Sequence, residues 1–267
     1  MENNKNIKDF TDNSSSEQHK RISWKLIVIC VLALIVVVGV IVFVVNKRQS
    51  SQGKQYLEEI IEQHLDTPTD AEEGADIPNP IDFDKLKLLN DDIYAWLDVP
   101  DTVISYPILQ NPKDNSYYIT HSYDGSSSYY GAIFSQAIYN KNDFSDSATV
   151  LFGHNMRDGT MFATLSRYTN EEYFKAHNKF YIYMPEKVLQ YQVFAAIPFD
   201  NRNILHSWDC TQRNQYWSLV QTILNTRSMD SYIDRDVDVN MYDKIVILSS
   251  CYPGDSSRRY LVIGKLI

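Results

Sequence analysis

Leu26 to Val45 form an unbroken apolar run in a chain that elsewhere alternates short apolar stretches with polar turns. No charge, no Pro and no side chain more polar than Cys30 interrupts it. About twenty such residues span the roughly 30 Å of bilayer hydrocarbon as a helix. A buried core helix seldom stays apolar on every face for so long. A cleaved signal peptide fits poorly, because the run exceeds a usual apolar h-region and is followed by Asn46, Lys47 and Arg48 instead of small cleavage-site residues. The pattern predicts an uncleaved transmembrane signal-anchor over residues 24–46.

Residues 1–23 are rich in Asn, Ser, Lys and Asp without apolar periodicity and read as a disordered cytoplasmic tail. Beyond the run, Tyr56, Leu57, Ile60, Ile61 and His64 repeat at helical spacing, and Thr67 to Pro80 supplies Pro, Asp, Glu and Gly. Residues 47–80 are thus a stalk helix and linker. Phe83, Leu86, Leu89, Ile93 and Trp96 extend another helical stripe. The character then changes to β-like runs near Thr102–Leu109, Gly131–Phe134, Ala148–Phe152, Phe180–Met184, Val188–Phe199, Ile245–Ser250 and Tyr260–Leu266. Helical insertions interrupt them around Thr160–Tyr168 and Gln212–Thr226, the second with Tyr216, Leu219, Val220, Ile223 and Leu224 on one face. The expected architecture is one domain over residues 81–267, mainly β with added helices, built on a closed mixed barrel.

Charge refines this picture more than it changes it. The 34 acidic and 25 basic residues give a net charge of −9, and no Lys/Arg stripe occurs outside the flanks of the apolar run, which argues against a nucleic-acid partner. Lys20, Arg21 and Lys25 nearly balance Lys47, Arg48 and Lys54 across the span, so loop charge barely orients it. Size decides instead: the short N-terminal segment stays cytoplasmic and the long C-terminal part is expected outside the cell.

Of three cysteines, Cys30 lies in the span, which leaves Cys210 and Cys251 in the exported part and makes a disulfide framework improbable. Lys244-Ile-Val-Ile-Leu-Ser-Ser-Cys251 is a β-like run ahead of the turn formers Tyr252-Pro-Gly-Asp, so Cys251 sits where a strand ends. Cys is often only a small buried hydrophobe, and its neighbours must decide. A reactive thiol needs a base or cation beside it. Among six His residues, His154 follows the run Ala148–Phe152 through Gly153 and so occupies a matching strand end, whereas His121, His177 and His206 lie in polar surroundings. Arg258 and Arg259 precede the last strand, close enough for a hairpin to return one guanidinium to the sulfur, where it would stabilise a developing oxyanion. Strand parity does not choose between them.

Several ordered motifs then converge. Leu89-Asn-Asp-Asp-Ile-Tyr-Ala-Trp-Leu97, Ile104-Ser-Tyr-Pro-Ile-Leu-Gln110, Asp114-Asn-Ser-Tyr-Tyr118, Gly131-Ala-Ile-Phe134, Gly153-His-Asn-Met156 and Leu248-Ser-Ser-Cys251 followed by Arg259 resemble a class B sortase, the surface-protein transpeptidase of Gram-positive bacteria. The resemblance covers Ile81 to Ile267. It implies a barrel of about eight strands, N-terminal helices and a long helix before the penultimate strand. It assigns the thiol to Cys251, the base or acid to His154 and the Arg to Arg259, whose eight-residue gap from Cys251 selects it over Arg258. Beside them, Ser249, Ser250 and Asn155 are expected to bind substrate. The family's usual Thr next to the nucleophile is here Ser250. No metal or organic cofactor is implied. The implied partners are secreted proteins bearing a sorting signal, a peptidoglycan amine, and the membrane through residues 26–45.

Two other classes use the same residues differently. A cysteine hydrolase would have the same site with water as acceptor. A non-catalytic, membrane-tethered binding module would leave Cys251 inert.

Overall fold

The computed structural model describes residues 24–63 and 77–267. The tail expected over residues 1–23 and most of the linker expected after His64 lie outside the described residues. Two compact units divide between Lys47 and Arg48. The first holds the apolar part of helix α1, which runs from Trp24 to Gln63 and is long and apolar enough to cross a membrane; Cys30 and the Val, Ile and Leu side chains from Ile27 to Val45 are exposed.

In the second unit the end of α1 packs on the barrel instead of standing off as a stalk. Leu57 and Ile60 are buried with Phe83 and Leu86 of α2 (Phe83–Leu89) and with Trp96, Tyr181 and Tyr183. Gly53 makes the helix crossing possible, since a Cβ there would stand 2.7 Å from the Leu89 amide nitrogen. Asp82 caps α2 by accepting from the Lys85 amide, and its own amide donates to the Tyr56 hydroxyl at 2.6 Å.

The helical stripe expected from Phe83 to Trp96 breaks at Asn90. Its side-chain Oδ1 accepts from the Asp92 amide, and its side-chain nitrogen donates to the Tyr118 hydroxyl and the Tyr123 carbonyl, both at 2.9 Å. Ile93–Asp98 is strand β1, buried along its whole length. After it come β2 (Ser105–Leu109), β3 (Ile133–Phe134), β4 (Ala148–Phe152), a 3-10 segment at Ala163–Thr169 and α3 (Glu171–Ala176). Next come β5 (Lys179–Met184), β6 (Lys187–Asp200), α4 (Ile204–Ser207) and α5 (Arg213–Leu224). The chain ends with β7 (Tyr232–Ile233), β8 (Ile245–Tyr252) and β9 (Asp255–Leu266).

Pairing runs β5-β1-β2-β3-β4-β8-β9-β6, and β5 also pairs with β6, so eight strands close a barrel while β7 adds to β6 outside the ring. Three apolar layers result. Leu97, Ile133, Leu151, Phe180, Tyr191, Leu248 and Val262 fill the interior. The amphipathic face of α5 covers Val150, Phe194, Ile247 and Ile263 on one outer side, and α1 with α2 covers another.

Within the barrel the Phe180 and Tyr191 rings stack at 5.0 Å against Gly264 of β9. A Cβ at Gly264 would collide with the Phe180 ring. Gly264→Ala is expected to lower stability by about 1–3 kcal/mol. Thermal unfolding would read this as a drop of several degrees in Tm, with the far-ultraviolet spectrum unchanged.

Candidate active site

Strands β4 and β8 are parallel neighbours whose register runs from Ala148 opposite Ile245 to Phe152 opposite Ser249. Parallel strands in step bring the residues two places further to the same rim, His154 just past the end of β4 and Cys251 one residue before the end of β8. The Gly153 amide prolongs the pairing with a 3.2 Å bond to the Ser249 carbonyl. Gly153 itself has no room for a side chain, because a Cβ would press on Ile133 and Phe162 at 2.5 and 2.7 Å.

On the other side of β8 the antiparallel partner is β9, and its register sets Arg259 directly opposite Cys251. The register thus brings Arg259, and not Arg258, to the sulfur. Arg259 Nη1 lies 3.8 Å from Cys251 Sγ and donates to the carbonyls of Ser256 at 2.8 Å and Arg258 at 3.0 Å. Arg258 points elsewhere, its guanidinium 4.2 Å over the Tyr252 ring.

Cys251 and His154 are both half-buried. The Ile119 carbonyl accepts from His154 Nε2 at 2.8 Å. A carbonyl cannot donate, so Nε2 is the donor in this contact. Gly131, at φ +60, makes this approach possible: a Cβ there would lie 2.6 Å from the Tyr118 carbonyl, 2.8 Å from that of Ile119 and 3.1 Å from the His154 ring. Gly131 also lines an apolar cavity of about 280 Å³ with Ile61, Tyr106, Tyr123, Tyr130 and Met161.

The three side chains expected to bind substrate are placed differently. Asn155 donates from Nδ2 to the Cys251 carbonyl at 3.0 Å, tying the His154 loop to the thiol strand. Ser249 and Ser250 are only 4% and 2% exposed, and the Ser250 hydroxyl has no hydrogen-bond partner. The backbone groups of Ile119 and Gly131 were not read from the sequence as parts of the site; the Gly131-Ala-Ile-Phe134 motif was the available signal. Among the described residues no three His, Cys, Asp or Glu side chains come together as a metal site. Cys210 is remote in kind from Cys251. Burial, reinforced by the nearby charges of Asp209 and Asp146, pushes its thiol up to about 12.

A sortase domain family model matches residues 97–267. The chain is 32% identical to sortase B of Listeria monocytogenes over 187 residues, which cover 68% of this chain and 72% of that protein. Among solved structures, sortase B of Clostridium perfringens superposes with a TM-score of 0.62 at 29% identity, covering 70% of this chain and all of that one. Bacillus anthracis sortase B in complex with AAEK1 gives a TM-score of 0.64 at 28% identity over 82% of this chain and 98% of that one. The fold is that of a cysteine transpeptidase barrel. The chain belongs to the sortase family, and the relatives it matches are class B sortases.

Two outcomes follow from this geometry. Gly131→Ala is expected to displace the Ile119 carbonyl from His154 and to cut turnover of a sorting peptide by about 100-fold, comparable to losing a positioned acid–base group, in a variant that still folds by circular dichroism. Because the Cys210 thiol stays protonated well above its ordinary range, iodoacetamide at pH 8 is expected to leave it unmodified in the folded protein, by peptide mass mapping, and to label it only near pH 12 or after denaturation.

Proposed function

We propose that this sortase is a membrane-anchored enzyme, held by residues 26–45 with its N-terminus cytoplasmic and residues 81–267 outside the cell, that joins secreted proteins to peptidoglycan. The proximity of Arg259 Nη1 to Cys251 Sγ at 3.8 Å, beside a strand end that carries His154, is the observation that supports it most strongly.

The Cys251 thiolate attacks the backbone carbonyl carbon of a residue in the C-terminal sorting signal. The carbonyl oxygen becomes an oxyanion facing the fixed charge of Arg259, which two backbone carbonyls already orient. As the tetrahedral intermediate collapses, the C–N bond breaks and protonated His154 gives its proton to the leaving amine. A thioester on Cys251 remains. A peptidoglycan amine attacks that thioester, neutral His154 takes the amine's proton, and the C–S bond breaks to restore the thiolate. Asn155 holds the main chain of the nucleophile through these steps, while Ser249 and Ser250, buried in the strand, shape the wall the substrate meets. In the hydrolytic alternative water takes the place of the amine.

Cys251→Ala should abolish both peptide cleavage and the thioacyl adduct seen by mass spectrometry. Cleavage surviving in that variant would sink the proposal. With the wild-type enzyme, sorting peptides of Asn-Pro and Leu-Pro type and triglycine should yield a ligated product; free acid alone, with triglycine present, would assign the chain to hydrolysis.

A further inference from the structure

The β8–β9 ladder breaks immediately beyond the thiol. Cys251 still faces Arg259, but the next pair is Tyr252 with Asp255, so Ser256, Ser257 and Arg258 have no partner across the hairpin. On its other edge β9 keeps Arg258 opposite Asp200 of β6, so Ser256 and Ser257 are the residues that neither ladder holds, and the Ser256 carbonyl is one of the two that orient the Arg259 guanidinium.

Side chains supply the hold that is missing on the β8 side. The Arg258 guanidinium lies 4.2 Å over the Tyr252 ring. The Tyr252 hydroxyl donates to Asp230 Oδ2, and Asp230 Oδ1 accepts from Ser228 Oγ at 2.5 Å. The Asp230 carbonyl accepts from the Tyr260 hydroxyl at 3.1 Å, and Tyr260 is the residue that follows Arg259. Asp230 stands in the segment between α5 and β7, closed locally by the bond from the Ser231 amide to the Ser228 carbonyl at 3.2 Å. It thus reaches the hairpin from a different part of the chain and grips both of its strands.

The chemistry of these groups makes the grip firm. Partial burial pushes the Asp230 carboxyl up, but the bonds from Ser228 and Tyr252, with the Arg258 charge, outweigh it and hold the group below its ordinary range. Asp230 is therefore ionised at neutral pH. A hydrogen bond to an ionised carboxylate is about twice as strong as a neutral one. Its acceptance of the Tyr252 proton raises the phenol above its ordinary value, so Tyr252 remains the donor.

We infer that Asp230 is a positioning residue: through Tyr252 and Arg258 it braces the broken hairpin and so keeps Arg259 on the Cys251 thiol. This rests on the proposed joint action of Cys251 and Arg259. Arg258 and Arg259 then divide the work, one stiffening the support and the other facing the reacting atoms.

The test uses the full chain in detergent micelles. Tyr252→Phe keeps the ring beneath Arg258 and removes only the hydroxyl. It is expected to lower kcat for sorting-peptide cleavage about tenfold, the rate equivalent of one charge-assisted hydrogen bond, with KM and Tm little changed. Asp230→Ala should match it, and the double variant should lose no more than either single one, because both remove the same brace. Asp230→Asn keeps an acceptor for Tyr252 but not its charge and should recover part of the rate. Alkylation of Cys251 by iodoacetamide should slow in parallel across the series. Wild-type kcat and alkylation in both single variants, additive losses, or a change confined to KM or Tm would overturn the brace. Because alkylation reads the thiol without any transfer reaction, failure of the brace is distinct from failure of the transpeptidase reading, which Cys251→Ala tests.

Discussion

The parallel register between β4 and β8 is the constraint on which the site depends. Five consecutive pairs from Ala148 with Ile245 to Phe152 with Ser249 leave no freedom in where the two strands stop. A slip of one residue would turn Cys251 toward the opposite face of the sheet and carry Ile245 and Ile247 out of the layer beneath α5. The burial of those apolar side chains is thus the energy that locates the thiol. The site inherits its geometry from the core and has little to arrange for itself.

What it does arrange is made of backbone. His154 is oriented by the Ile119 carbonyl, Arg259 by the carbonyls of Ser256 and Arg258, and Asn155 by the carbonyl of Cys251. Backbone groups move only when the chain moves, which gives each side chain a rigid reference. The arrangement requires main chain to approach side chain closely, and glycine at positions 131 and 153 is what permits it.

Legibility in the sequence follows the same division. Strands β4, β5, β6, β8 and β9 are readable because apolar runs bounded by turn residues mark half-buried or buried strands, and α5 because its apolar residues share one face. Strand β1 is not, since burial on both sides removes the period of two and leaves Ile93 and Trp96 at a spacing that also fits a helix. Strand β7, with two residues, is too short to leave a pattern. Cys251 and His154 stand out as matching strand ends, but the choice of Arg259 over Arg258 needed the β8–β9 register or the family spacing. Contacts to carbonyls such as Ile119 have no residue signature at all, because every residue carries one.

The closed ring has a further consequence. Because β5 pairs with β6, all of the barrel's edges are satisfied without α4, α5 or β7, which hang on the connection between β6 and β8 outside it. Closure entropy rises only slowly with loop length, so insertions in the exposed turns of that connection, away from the α5 face and Asp230, carry a small thermodynamic penalty. Such a molecule can lengthen its outer turns without retuning the strands that hold the nucleophile, as long as the α5 face over β8 and the Asp230 turn keep their places.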